Sequence, residues 1–138
     1  MYTFCKQERL CSQKRIDALF QSGHRIMVFP YSIHWQVCPI GTLPEGVPAQ
    51  VLIATSKRKF HHAVDRNRVK RLTRECYRLH KPTLYQCLTT QNINLVLSIN
   101  YIHTSILDFH TLNHKFDKIT DALIEKIGHQ NTQCNPEA

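Results

Sequence analysis

The sequence predicts a mixed α/β domain, a sheet with helices packed against it. Three patterns carry that expectation. Residues 28–38 alternate, with Tyr31, Ile33, Trp35 and Val37 on one face and Ser32, His34 and Gln36 on the other, as in a half-buried strand. INLVLSINY, residues 93–101, is an apolar run without breakers, the pattern of a buried strand. Leu112, Phe116, Ile119, Leu123 and Ile127 recur at spacings of 4, 3, 4 and 4, which puts them on one stripe of a helix.

Taken in order, the elements begin at Ser12, which is placed to cap a helix carrying Ile16, Leu19 and Phe20 and ending at Gly23. The strand over 28–38 follows, with an additional strand expected near the start of the sheet. GTLPEGVP, residues 41–48, is a turn-rich connection, and AQVLIATS after it reads as a second strand. The loop KRKFHHAV leads into a basic helix that the chain is expected to leave after Pro82. The strand over 93–101 and the last helix complete an α-β-β-α-β-α order, with Gly128 placed to end that helix. Residues 1–128 read as a single domain, and 129–138 as a polar, disordered tail.

With 138 residues, 42% of them hydrophobic, the chain can bury a core without staples. No apolar run approaches the ~20 residues needed to span a bilayer, and MYTFCKQERLCSQKR carries charges where a signal peptide needs an apolar stretch. A soluble, cytoplasmic protein is expected. The six cysteines form no C-x-x-C pair, so a disulfide framework is not expected. Cys76 falls on an apolar helix stripe and reads as a small buried hydrophobe rather than a reactive thiol.

The net charge of +8 is concentrated. Ten basic residues stand between Lys57 and Lys81 against Asp65 and Glu75, while the rest of the chain has eight of each sign. On a helix turning 100° per residue, Val69, Leu72, Cys76 and Leu79 form one stripe. Asn67, Lys70, Arg71, Arg74, Arg78 and Lys81 lie opposite. Asn67, Arg71, Arg74 and Arg78 also form a ridge at spacings of 4, 3 and 4. A helix that needed only solubility would mix signs, because like charges one turn apart repel by a few tenths of a kcal/mol. Here Glu75 alone offers relief, through Arg71 and Arg78. One sign on one face points to a phosphate-binding surface. Lys57, Arg58 and Lys59 add charge near the helix N-terminus, itself a favoured phosphate site, and the dominance of Arg suits forked contacts to phosphate oxygens.

SKRKFHHAVDRNRVKRLTRECYR resembles the signature of the bacterial ribonuclease P protein subunit: a basic loop, a small residue and valine, then R-N-R-x-K-R-x-x-R-E/Q. Ala63, Val64, Arg66, Asn67, Arg68, Lys70, Arg71, Arg74, Glu75, Tyr77 and Arg78 meet it. The resemblance extends to a first helix ending in F-x-x-G (Phe20 to Gly23) and to the order of the flanking elements. It implies an α/β (α+β) two-layer sandwich with a central sheet, related to ribosomal-protein domains, whose crossover through the basic helix is left-handed, against the usual rule.

The resemblance also implies a function, that of an accessory subunit of an endoribonuclease that removes the 5′ leader of precursor tRNA. The catalyst is an RNA subunit holding Mg²⁺, and the protein is not expected to cut alone. No organic cofactor and no obligate protein partner are implied. The signature helix and its loop (Lys57, Arg58, Lys59, Arg66, Asn67, Arg68, Lys70, Arg71, Arg74, Arg78) would dock on the catalytic RNA. A cleft between the first helix and the sheet would hold the single-stranded leader through Phe20, Ile16 and His34. Ile16 stands where many members have Phe, and His34 where Tyr is frequent. Core packing is the competing role for Phe20 and His34.

The acids outside the basic window are scattered, whereas a stand-alone metal-dependent nuclease needs them clustered. His110 and His114 are one turn apart but lack a third ligand, and His61 and His62 read as loop residues, so no protein-bound metal is expected. The competing function is a noncatalytic RNA-binding protein of ribosomal type. A DNA-binding regulator is a third choice, opposed by the strand and basic loop where a helix-turn-helix would place its first helix.

Overall fold

Ser12 caps the first helix, α1 (Gln13–Ser22), by accepting a hydrogen bond from the Arg15 N–H. In the computed structural model, which describes residues 8–10, 12–43, 46–55 and 58–134, α1 ends on Gly23, whose N–H donates to the Leu19 carbonyl at 2.8 Å. A Cβ on Gly23 would lie 2.3 Å from that carbonyl oxygen and 2.9 Å from Leu19 Cδ1. The F-x-x-G ending is therefore a demand for close approach.

The chain then forms strand β1 (His24–Val28), turns through Phe29-Pro30 and returns as β2 (Tyr31–Pro39). The alternating segment thus splits, with Val28 closing β1 rather than opening β2, because the prolyl turn interrupts it. β1 is the additional strand expected near the start of the sheet. Strand β3 (Ala49–Thr55), helix α2 (Ala63–Gln91), strand β4 (Ile93–Tyr101) and helix α3 (Phe109–Cys134) complete the chain.

The sheet order is β1-β2-β4-β3. β1 and β2 form an antiparallel hairpin, β2 pairs antiparallel with β4, and β3 lies parallel to β4, joined to it by the α2 crossover. One face carries Ile33, Trp35, Val51, Leu95, Leu97 and Ile99 into the main core with α2 and α3. The other face carries Val96 and Leu52 against Leu19 and Ile16 of α1 and against Leu10 and Leu43. α1 covers only part of this second face; beside it Arg25 and Met27 of β1 are exposed and His34 and Asn100 half-buried, which leaves the hairpin side of the face open.

Three local expectations are corrected. α2 does not stop at Pro82 but continues to Gln91, where Asn92 caps it in the left-handed region (φ 58°). Proline removes one ladder hydrogen bond, yet Leu84 and Leu88 beyond it are buried, and their burial holds the last turns in place. The buried stripe of α2 is also rotated from the expected one. Thr73 and Tyr77 are buried with Val69 and Cys76, whereas Leu79 is 44% exposed. Finally, α3 runs past Gly128 to Cys134, so residues 129–134 continue the helix instead of starting a disordered tail. A glycine inside a helix costs about 1 kcal/mol relative to alanine, which by itself is too little to end a helix held by tertiary packing. Residues 135–138 lie outside the described residues.

Candidate RNA interface

Two surfaces gather the residues singled out by the sequence, and they lie on opposite sides of the sheet. The first is the basic face of α2. Asn67, Arg68, Arg71 and Arg74 are exposed, and Lys70 and Arg78 are half-buried. Arg78 pairs with Glu75, donating from Nε to Oε2 at 3.0 Å, and this partner holds the Glu75 carboxyl below its usual range. Exposure on one side, with Val69 and Cys76 buried on the other, sets Arg68, Lys70, Arg71, Arg74 and Arg78 on one helix face as a row of cations.

Arg66 and Lys81 behave differently. The Arg66 guanidinium folds back onto the preceding loop, donating to the carbonyls of Phe60 at 2.8 Å and His61 at 2.9 Å. Lys81, expected on the basic face, is buried and donates to both carboxylate oxygens of Glu8, at 2.9 and 2.8 Å. The buried stripe of α2, which runs through Thr73, Tyr77 and Leu84, carries Lys81 inward. In the loop, Lys59 donates to the carbonyl of Ile102 and Arg58 is exposed. Lys57 lies outside the described residues.

The second surface is the open sheet face beside α1. Phe20 is 46% exposed, and its ring meets that of His34 with centroids 4.6 Å apart and planes inclined by 55°. Ile16 packs on the small core beneath α1 and supplies no ring. His34 stands opposite Arg25 in the hairpin register. Burial, and secondarily the charge of Arg25, hold its imidazole below the ordinary histidine range. Its Nδ1 is buried without a hydrogen-bond partner.

Other polar groups on this face were not anticipated. Arg25 donates to Ser32 Oγ at 3.0 Å, and Asn100 donates to the Ser32 carbonyl at 3.1 Å. Arg15 reaches across from α1 to Gln50 Oε1 and to the Thr42 carbonyl, fixing the helix over the sheet. Arg25 became legible only once 24–28 was a strand, because its place beside His34 follows from the hairpin register.

Burial pushes the Cys76 thiol up to about 12, so it is a core group rather than a nucleophile. Among the described residues, no three His, Cys, Asp or Glu side chains are placed to hold a metal ion. No helix among them is long and apolar enough to cross a membrane.

A sequence profile of the family described as ribonuclease P matches residues 4–123. The chain belongs to the ribonuclease P protein family. It is 31% identical over 113 residues to the ribonuclease P protein component of Porphyromonas gingivalis, covering 82% of this chain and 80% of that one. Against its counterpart in Chlorobium phaeobacteroides it is 31% identical over 121 residues, covering 83% of each. Solved structures share the fold. A Staphylococcus aureus RNase P protein mutant superposes with a TM-score of 0.62 at 15% identity, over 86% of this chain and 89% of that one. The Thermotoga maritima RNase P protein superposes with 0.57 at 18% identity, over 82% and 94%.

Proposed function

We propose that this chain is the protein subunit of ribonuclease P, working with a catalytic RNA to remove the 5′ leader of precursor tRNA. The observation that carries the reading is the one-sided exposure of Asn67, Arg68, Arg71 and Arg74 on a buried helix of this family's fold. Fixed cations on one helix face bind phosphates without demanding a base sequence, which suits docking on a folded RNA. Lys70, Arg78, Arg58 and Lys59 flank the row, and Arg66 contributes by holding the loop in place. Lys57 belongs to the same loop by its position in the sequence.

The open face supplies the complementary surface. Phe20 and His34 present ring faces beside the cation of Arg25, the combination that binds single-stranded nucleic acid with tolerance for sequence. In this reading the leader crosses this face, and Ile16 supports Phe20 from below. The Mg²⁺ ions of the reaction sit on the RNA subunit and the substrate. The protein's own part is to bind and position the two RNAs.

The test is cleavage of a precursor tRNA by the ribonuclease P RNA of the source organism, with and without this protein, at low Mg²⁺ and near-physiological salt. Accurate leader removal that depends on the protein, with no cutting by the protein alone, is expected. Binding to both RNAs without any change in cleavage would leave a noncatalytic RNA-binding protein.

A further inference from the structure

An aromatic pair, Phe29 exposed and His103 half-buried, lies outside both surfaces. Phe29, in the β1–β2 turn, is 53% exposed, and its ring meets that of His103, in the loop after β4, with centroids 5.0 Å apart and planes inclined by 56°. Three loops converge on this pair. The Ile102 N–H donates to the Pro30 carbonyl at 2.9 Å, which ties the turn to the end of β4. Lys59, from the loop before α2, donates to the carbonyl of Ile102, one residue before His103. That bond uses one of three ammonium hydrogens, so the cation retains donors for a phosphate. Arg58 precedes it and is exposed.

The pair stands at the hairpin end of the sheet, where the edge of the open face meets the loop before α2. Arg25 and Met27 stand opposite His34 and Ser32 in the hairpin register, Met27 is 51% exposed, and Phe29 follows it in the chain. From His34 back to Tyr31, where β2 leaves the turn, is three residues, roughly 10 Å along a strand. A strand of RNA lying over Phe20 and His34 would meet Phe29 within a few nucleotides. The cations beside the rings select a polyanion over an apolar protein partner, and a ring face serves any unpaired base.

We propose that Phe29 and His103 form a second stacking platform, which takes an unpaired base of the leader beyond the stretch over Phe20 and His34, with Lys59 and Arg58 along its phosphates. This deepens the leader-binding reading and rests on it.

The test uses the holoenzyme reconstituted from this chain and its own RNA, with precursor tRNAs whose leaders are shortened nucleotide by nucleotide. Phe29→Ala and His103→Ala are expected to weaken binding of long-leader substrate about 5-fold or more. Binding of the shortest leaders should stay unchanged, so that the affinity gained with leader length is cut back. Phe29→Trp should retain or raise that gain. Phe20→Leu, measured alongside, should weaken binding of short and long leaders alike. If Phe20→Leu has its effect and the Phe29 and His103 variants have none, the second platform is refuted while the cleft stands. If none of the three changes leader binding, the cleft reading falls with it. Loss of affinity for the RNA subunit in Phe29→Ala, at unchanged leader dependence, would also overturn the proposal.

Discussion

Lys81 and Glu8, 73 positions apart in sequence, form a buried ion pair that holds the start of the described chain against α2. Tyr85 donates to the same carboxylate, and the Tyr77 and Tyr85 hydroxyls lie 3.2 Å apart. Next to the pair, Arg9 forms a parallel bridge with Val51, and the Leu10 N–H donates to the Val51 carbonyl at 2.9 Å. Residues 8–10 are thereby laid along the free edge of β3. Removing one partner leaves a buried charge, so Glu8→Ala should cost about 3–5 kcal/mol in denaturant unfolding. The double variant Glu8→Leu with Lys81→Met should recover most of that loss. A cost below about 1 kcal/mol for Glu8→Ala would mean that the pair is open to water in solution.

Within the signature helix, Arg66 should separate from its neighbours. Arg71→Ala and Arg74→Ala are expected to leave stability unchanged and to lower the salt slope of RNA binding by about one per lost phosphate contact. Arg66→Ala removes two hydrogen bonds to loop carbonyls and should cost about 1–2 kcal/mol of stability. Thermal unfolding and salt titrations on the same three proteins decide this. An unchanged slope for both Arg71→Ala and Arg74→Ala would remove them from the interface.

The elements were legible where one period dominates. The alternation around Trp35, the apolar run of β4 and the stripe of α3 each gave the correct type, and the last two the correct buried residues, whereas in β2 Ser32 on the polar face is buried too and Val37 only partly so. Boundaries set by breakers were less legible, because Pro82 and Gly128 act against local propensity while tertiary burial decides. The charge of Lys81 placed it outside, but its partner Glu8 lies far away in sequence and could not be paired with it in advance. At the site, the cations of α2 were legible from spacing on a single helix. Arg25 and Phe29 were not, since their placement depends on a hairpin register and on loops that meet only in three dimensions.

Pro82 sits inside α2 without an N–H to donate. An interior proline costs a helix about 3 kcal/mol relative to alanine. Pro82→Ala should therefore stabilise the protein by about 1–3 kcal/mol in urea, provided that the substituted helix still delivers Lys81 to Glu8. If stability falls instead, and falls no further in combination with Glu8→Ala, Pro82 is what positions Lys81 for the ion pair.

The Phe20–His34 contact yields a prediction with a definite sign in pH. Burial first, then Arg25, depress the folded-state pKa of His34 below the ordinary 6.5. On acidification the unfolded chain therefore takes up this proton before the folded one. The stability conferred by a neutral His34 is complete above about pH 6.5 and is lost as pH falls through the lower, folded value. His34→Phe removes that dependence, so the wild type should lose more stability than the variant between pH 7 and pH 5. The leader should meet a neutral ring at pH 7, and His34→Phe should keep its leader affinity there. Phe20→Leu should lose about 1 kcal/mol or more, the contribution of one base–aromatic stack, without weakening RNA-subunit binding. A wild-type leader affinity that declines between pH 7 and pH 8, while that of His34→Phe stays level, would show His34 acting as a cation and overturn the stacking account.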